Sequence, residues 1–218
     1  MAHAYSEDQL VEQPAITLLA ELGWHSVSAM EEVVGPHGTL GRETKAESVL
    51  LLRLRAALNR LNPSLPPEAL SIAVDELIRD RSVMSIAAAN RDVYGLLKDG
   101  IPVSIADTKG GGQKTERVRV INWENPAAND FLLVSQFSVT GSLYTRRPDL
   151  VGFVNGLPVV VIELKKPGVP AQQAFDDNLT CYKSDIPQLF WFNGLTIASN
   201  GTESRVGSLT ADWERFFE

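Results

Sequence analysis

Residues 159–162 (VVVI) form an unbroken apolar run that leads directly into Glu163, Leu164 and Lys165, and no other feature of the chain restricts its folding so strongly. A run of this kind, with no polar face, reads as a strand covered on both sides. The charges that follow are out of place there. In a strand, residues i and i+2 share a face, so Glu163 and Lys165 project together while Leu164 continues into the core. A half-buried carboxylate and ammonium are costly unless they are paired, hydrogen-bonded or bound to a metal.

Asp149 stands on the preceding strand, separated from this one by Asn155 and Gly156, a dipeptide favoured in tight hairpins. A regular two-residue loop at that dipeptide sets Asp149 opposite Ile162 and leaves Glu163 on the other face. Bringing Asp149 and Glu163 to one face needs one residue more, either an odd loop centred on Gly156 or a bulge in one strand. That irregularity is expected, and Pro158, which cannot donate to a ladder, is compatible with it. Two carboxylates and a lysine on one face make a site for a hard cation beside a compact positive charge. Mg²⁺ prefers oxygen ligands and keeps several waters, so two carboxylates, a backbone carbonyl and a substrate phosphate suffice. Such an ion activates water and neutralises charge growing on a phosphodiester, while the lysine orients the water or stabilises the transition state. Taken alone, the short pattern is met by chance in many proteins and is better read as a second arrangement, in which Asp149 caps a turn and Glu163 pairs with Lys165 at the surface.

Composition narrows the chemistry. The single cysteine, Cys181, excludes an internal disulfide and a thiolate zinc cluster, and His3, His25 and His37 are too scattered for a histidine metal motif. Any metal would be held by oxygen. With 218 residues, 44% hydrophobic and 22% charged, the chain is of ordinary globular type. No apolar run approaches the ~18 residues of a membrane span. The opening MAHAYSEDQL has no basic segment followed by an apolar stretch, so a cytoplasmic protein with no membrane partner is expected. The formal charge of −7 argues against a globally basic nucleic-acid binder, although it does not exclude DNA chemistry. No Gly-Lys dipeptide occurs, so the phosphate-binding loop is absent and ATP hydrolysis within these residues is not expected. The KGGGQK stretch at 109–114 reads as a hairpin tip with exposed lysines.

Along the chain, residues 6–22 have helical spacing, with Ser6 and Gln9 at capping-box separation, a kink or restart expected near Gln13 ahead of Pro14, and Gly23 as the stop. Residues 26–41 read as loop and 42–61 as an amphipathic helix. Two more helices are predicted, one from Pro66 and Pro67 to about Asp80 and one over 85–98. Beyond Gly100 the chain turns to strand chemistry, with strands predicted at 117–122, 131–139, 148–154, 158–165, 195–199 and 204–208, and a helix over 170–184. Within 131–139, Phe131, Leu133, Phe137 and Val139 alternate, which predicts one buried face. The terminal ADWERFFE reads as a helix start without a stop, as in a fragment of a longer chain.

The whole stretch RRPDLVGFVNGLPVVVIELKKPG, residues 146–168, resembles the nuclease domain of the restriction subunit of type I restriction-modification enzymes, within the PD-(D/E)xK nuclease superfamily. ENPAANDFLLVSQFSV before it, LTIASNGTESR after it, and the opening helix ending in Leu22, Gly23 and Trp24 agree with that resemblance. It implies an α/β fold with a central mixed sheet flanked by helices, in one endonuclease domain spanning 1–218. Residues 26–100 would be a helical elaboration and 101–218 the catalytic sheet core. It also implies Asp149 and Glu163 as metal ligands, the Leu164 carbonyl completing the metal shell, and Lys165 as the catalytic lysine. A glutamate on the first helix reaches the metal in many relatives; Glu12 best fits that position, with Glu7 as the fallback. Where the family often has Gln-x-x-x-Tyr, this chain has Asn178 and Tyr182, which share a helix face. Arg146, Arg147, Lys166 and Lys183 cluster near the motif as candidate phosphate contacts.

The activity implied is Mg²⁺-dependent hydrolysis of foreign unmethylated double-stranded DNA, with Mn²⁺ as substitute. Cleavage would be sequence-nonspecific and gated by an assembly with methyltransferase and specificity subunits. ATP would act only through helicase-like motor domains elsewhere in a longer chain. Two other functions fit the same fold: a non-catalytic module docking a motor onto a methyltransferase core, and a free-standing repair or phage nuclease.

Overall fold

A computed structural model describes residues 7–35, 37–106 and 111–218. The chain opens with a π-helical stretch, Asp8–Glu12, that passes into α1 (Gln13–Glu21) and then β1 (His25–Ser28). Three helices follow, α2 (Leu51–Leu61), α3 (Pro67–Ile78) and α4 (Ile86–Asp99), and then the hairpin of β2 (Ile101–Ala106) and β3 (Gln113–Val118). Next come β4 (Phe131–Ser135), the short strands β5 (Val139–Thr140) and β6 (Thr145–Arg146), β7 (Leu150–Val154) and β8 (Leu157–Leu164). A second π-helical stretch, Ala174–Leu179, leads into α5 (Thr180–Asp185), and β9 (Leu195–Ser199) and β10 (Ser204–Gly207) complete the fold.

Six strands form one mixed sheet in the order β1-β4-β7-β8-β9-β10, parallel at β1/β4 and β8/β9 and antiparallel elsewhere. This is the mixed α/β architecture with flanking helices that the resemblance implies. Alternation along the central strands sends Leu150, Ile162 and Leu164 to one face, where they meet Val11, Ile16 and Leu19 of the N-terminal helix. Val151, Phe153 and Val161 go to the other face and pack with Leu179, Tyr182 and Ile186. On the first face Gly152 admits the Trp24 ring, which a Cβ would meet at 3.0 Å. A further core joins α2, α3 and α4 to the β2/β3 hairpin, Leu157, Trp191 and Phe192. The helical part thus draws on residues beyond Gly100, and the sheet takes β1 from before it.

Several elements depart from the sequence reading. The expected loop 26–41 begins inside β1. The helix expected from 42 starts at Leu51, because 42–50 forms turns and bends tied to other segments instead. Arg42 is buried there, bonding to Glu32 and to the Glu47 and Ser138 carbonyls, and the Leu50 N–H bonds to the Gly156 carbonyl at 2.9 Å. The strand expected at 117–122 lies earlier, as β3 paired with the unforeseen β2. The strand expected over 131–139 breaks at Gln136, whose φ is 57°, and β4 is covered on both faces rather than one. The C-terminal helix start is a single 3-10 turn, Trp213–Arg215, after which Phe217 bridges to Val206. The expected restart at Gln13 is present, with the widened π turns ending at Glu12 ahead of Pro14. Ser6 of the capping box, and Lys109 and Gly110 of the glycine-rich stretch, lie outside the described residues. Among the described residues no helix is long and apolar enough to cross a membrane.

Candidate active site

The β7/β8 hairpin decides which side chains meet. Asn155 (φ 52°) and Gly156 (φ 82°) make the two-residue turn, closing Val154 on Leu157 and Phe153 on Pro158. The register then slips by one, and Gly152 faces Val160, Val151 faces Val161 and Leu150 faces Ile162. Val159 is the extra residue of this bulge, and its carbonyl accepts the Gly194 N–H at 2.8 Å. Continued one step, the shifted register sets Asp149 across from Glu163, as the sequence argument required. Asp149 occupies the ladder position beyond the end of β7, where its Oδ2 accepts the Leu164 N–H at 2.8 Å. A residue's N–H and C=O lie on the same side of a strand, so the Leu164 carbonyl is directed to that edge as well.

Glu163 is 3% exposed. Its Oε1 accepts the Tyr182 hydroxyl at 3.2 Å, while its Oε2 is buried with no hydrogen-bond partner among the described residues. The Lys165 ammonium donates to Asn178 Oδ1 at 2.6 Å, and Asn178 Nδ2 donates to the Tyr182 oxygen at 3.2 Å. A chain of hydrogen bonds therefore runs from Lys165 through Asn178 and Tyr182 to Glu163. The asparagine, although shorter than the glutamine of the family pattern, reaches the lysine.

Glu12 arrives from the other face of the sheet. Val11 beside it is anchored in the core, and Glu12 itself is 8% exposed. Gln136, which the sequence reading missed, donates from Nε2 to Glu12 Oε2 at 2.9 Å and lies 3.4 Å from Asp149 Oδ1. The signal was a lone amide interrupting the apolar run FLLVSQF. Glu7, Glu12, Gln136, Arg147 and Asp149 line an open cleft of about 660 Å³.

Burial makes this site resist negative charge. Desolvation, then the neighbouring Asp149, pushes the Glu163 carboxyl up to about 9, with Lys165 pulling it back in part. Glu12 is raised to about 7 by burial and by Asp149, against the bond from Gln136. Burial also raises Asp149, opposed by the Leu164 N–H. The Tyr182 hydroxyl is pushed up by burial and by Glu163 beside it. Among the described residues no three Cys, His, Asp or Glu side chains converge into a finished metal cage. The donor set nevertheless fits Mg²⁺, which is bound through one or two carboxylates and keeps waters, and the buried Glu163 Oε2, which has no hydrogen-bond partner among the described residues, is an oxygen of the kind such an ion takes.

The basic residues are placed unequally. Arg147 is exposed in the cleft, where its Nη1 donates to Met30 Sδ at 3.6 Å, and Lys166 is exposed just past β8. Arg146 is already paired with Asp185, at 2.6 Å from Nη2, and stacks on Tyr144. Lys183 sits 5.3 Å from the centre of the Phe175 ring. Those two are thus engaged within the chain.

Comparison with known proteins finds relatives over most of the chain. A family model described as "Type I restriction enzyme R protein N terminus" matches residues 4–215. The chain is 36% identical over 210 residues to the type I restriction enzyme HindI endonuclease subunit of Haemophilus influenzae, covering 94% of this chain and 19% of that protein. It is 34% identical over 217 residues to the provisionally named type I restriction enzyme MjaIXP endonuclease subunit of Methanocaldococcus jannaschii, covering 97% of this chain and 20% of that protein. The chain thus spans about a fifth of the length of these relatives.

Proposed function

This chain belongs to the family of type I restriction enzyme R-protein N termini, and from that premise we propose that it is the DNA-cleaving part of such an enzyme, dependent on Mg²⁺ or Mn²⁺. Cleavage is sequence-nonspecific and confined to foreign unmethylated DNA by the assembly. ATP-driven motor domains, with methyltransferase and specificity subunits, decide in the cytoplasm when this site meets a duplex.

Asp149, Glu163 and the Leu164 carbonyl would hold the cation, with Glu12 joining from the first helix. When bound, the ion supplies Lewis acidity toward the phosphate and favours ionisation of a nearby water. Lys165 supplies a compact positive charge next to the scissile phosphate, where it orients the attacking water and offsets charge growing on the phosphate oxygens. Asn178 fixes the direction of that ammonium, and Tyr182 steadies Glu163. Arg147 and Lys166 contact the backbone without reading bases.

The observation that carries this reading is the bulge at Val159, which faces Asp149 with a buried Glu163 oxygen that has no partner. Calorimetric titration with Mn²⁺ and Mg²⁺ tests it, since ion binding requires neither motor nor cognate DNA. Asp149→Ala and Glu163→Ala are expected to abolish binding, and Lys165→Ala to keep it. A wild type that binds neither ion, with DNA present as well, would remove the physical basis for cleavage and leave the docking module as the better account.

A further inference from the structure

Gln136 terminates β4 with a left-handed backbone, φ 57°, that residues bearing a Cβ seldom adopt. This conformation takes the side chain out of the strand's alternation. Its main-chain N–H donates to the Asp149 carbonyl at 2.7 Å, and its side-chain nitrogen bonds Glu12 Oε2 at 2.9 Å and approaches Asp149 Oδ1 at 3.4 Å. Glu12 and Asp149 come from distant parts of the chain, and as carboxylates they repel each other. A neutral amide with two N–H donors holds both without adding charge. A lysine or arginine in its place would neutralise the pair and compete with a cation, and a carboxylate would deepen the repulsion.

We propose that Gln136 is a positioning residue that holds Glu12 against Asp149 and so brings the first helix into the cation site. The assignment rests on the cation-dependent reading above and deepens it, because it specifies how a helix carboxylate is recruited to a site made by the sheet. Backbone strain of this kind collects where surrounding structure enforces a functional geometry.

The test is Mn²⁺ titration by calorimetry on wild type, Gln136→Gly, Glu12→Ala and the double variant, with thermal melting of each in the absence of the ion. Glycine suits φ 57°, so Gln136→Gly should keep a cooperative melt while deleting only the side chain. Both single variants are expected to weaken Mn²⁺ binding about tenfold. The double variant should also lose about tenfold rather than a hundredfold, because the two changes remove one contact. Gln136→Asn, which tolerates the same backbone but is one methylene short, should behave like the glycine variant. Binding of Mn²⁺ by Gln136→Gly at wild-type strength, or losses that multiply in the double variant, would overturn the assignment. If Asp149→Ala and Glu163→Ala lose the ion while Gln136→Gly retains it, only this assignment fails. If those two alanine variants also bind normally, the cation reading fails and the assignment falls with it.

Discussion

Glu163 joins the two demands made on this site, since the same burial that gives it an unpartnered oxygen makes its ionisation unfavourable without a cation. Its carboxyl has an ordinary value of 4.5 and is pushed up to about 9 in the folded chain. Below pH 4.5 the folded and unfolded chains both hold the proton, so the group contributes no pH dependence. Between 4.5 and about 9 the unfolded chain releases the proton while the folded chain keeps it, so stability of the metal-free protein falls as pH rises. Glu12 adds the same sign between 4.5 and about 7. The melting temperature of metal-free protein should therefore decline from mildly acidic to alkaline pH, and Glu163→Gln should flatten most of that decline. Divalent ions compete with the proton, so Mn²⁺ affinity should rise over the same range. At this scale Asp149, Glu163 and Lys165 were legible because period-two alternation and an Asn-Gly turn are local rules. Gln136 was not, because a left-handed backbone breaks the alternation on which the reading depends.

The hairpin that carries the site is held at its tip by a helix. A Cβ on Gly156 would lie 2.6 Å from the Leu50 carbonyl oxygen and 2.7 Å from the Leu54 nitrogen, at the start of α2, and φ there is 82°. Gly156→Ala is expected to destabilise the protein by roughly 2 kcal/mol or more, measured from urea unfolding midpoints. Gly168 is also left-handed, at φ 90°, but faces open space; Gly168→Ala should cost only about 1 kcal/mol of backbone strain. The difference between the two variants reports the contact between turn and helix. That contact also explains why the start of α2 could not be read. The amphipathic pattern continues back to residue 42, yet Leu50 gives its N–H to the turn and Arg42 is drawn into the core. Strand β1 was hidden for a related reason. Its residues His25, Ser26 and Ser28 are exposed, so no alternation marks it, and it exists through main-chain pairing with β4 at the sheet edge. Strands β7 to β10, bounded by glycine, asparagine and proline and mostly buried, fell within a residue or two of their predicted limits.

The whole molecule carries a formal charge of −7, and two of the four basic side chains nearest the motif are engaged elsewhere, Arg146 with Asp185 and Lys183 on Phe175. Its own hold on DNA should therefore be weak, with a dissociation constant on the order of 10⁻⁴ to 10⁻⁶ M near physiological salt. Arg147→Ala should weaken binding equally for all sequences and lower the slope of log affinity against log salt by about one, as read from fluorescence anisotropy of a labelled duplex. No loss with Arg147→Ala would remove that side chain from the DNA path. The candidate site as a whole draws on Glu12, Gln136, Asp149, the end of β8 with Glu163 and Lys165, and the helical stretch bearing Asn178 and Tyr182, which together reach across most of the chain. On a translating ribosome the first helix emerges long before the elements that receive it. Until Asn178 and the α5 residue Tyr182 have emerged to steady Lys165 and Glu163, the growing polypeptide carries separate acids and no assembled centre, so the proposed site comes together only late in the synthesis of these residues.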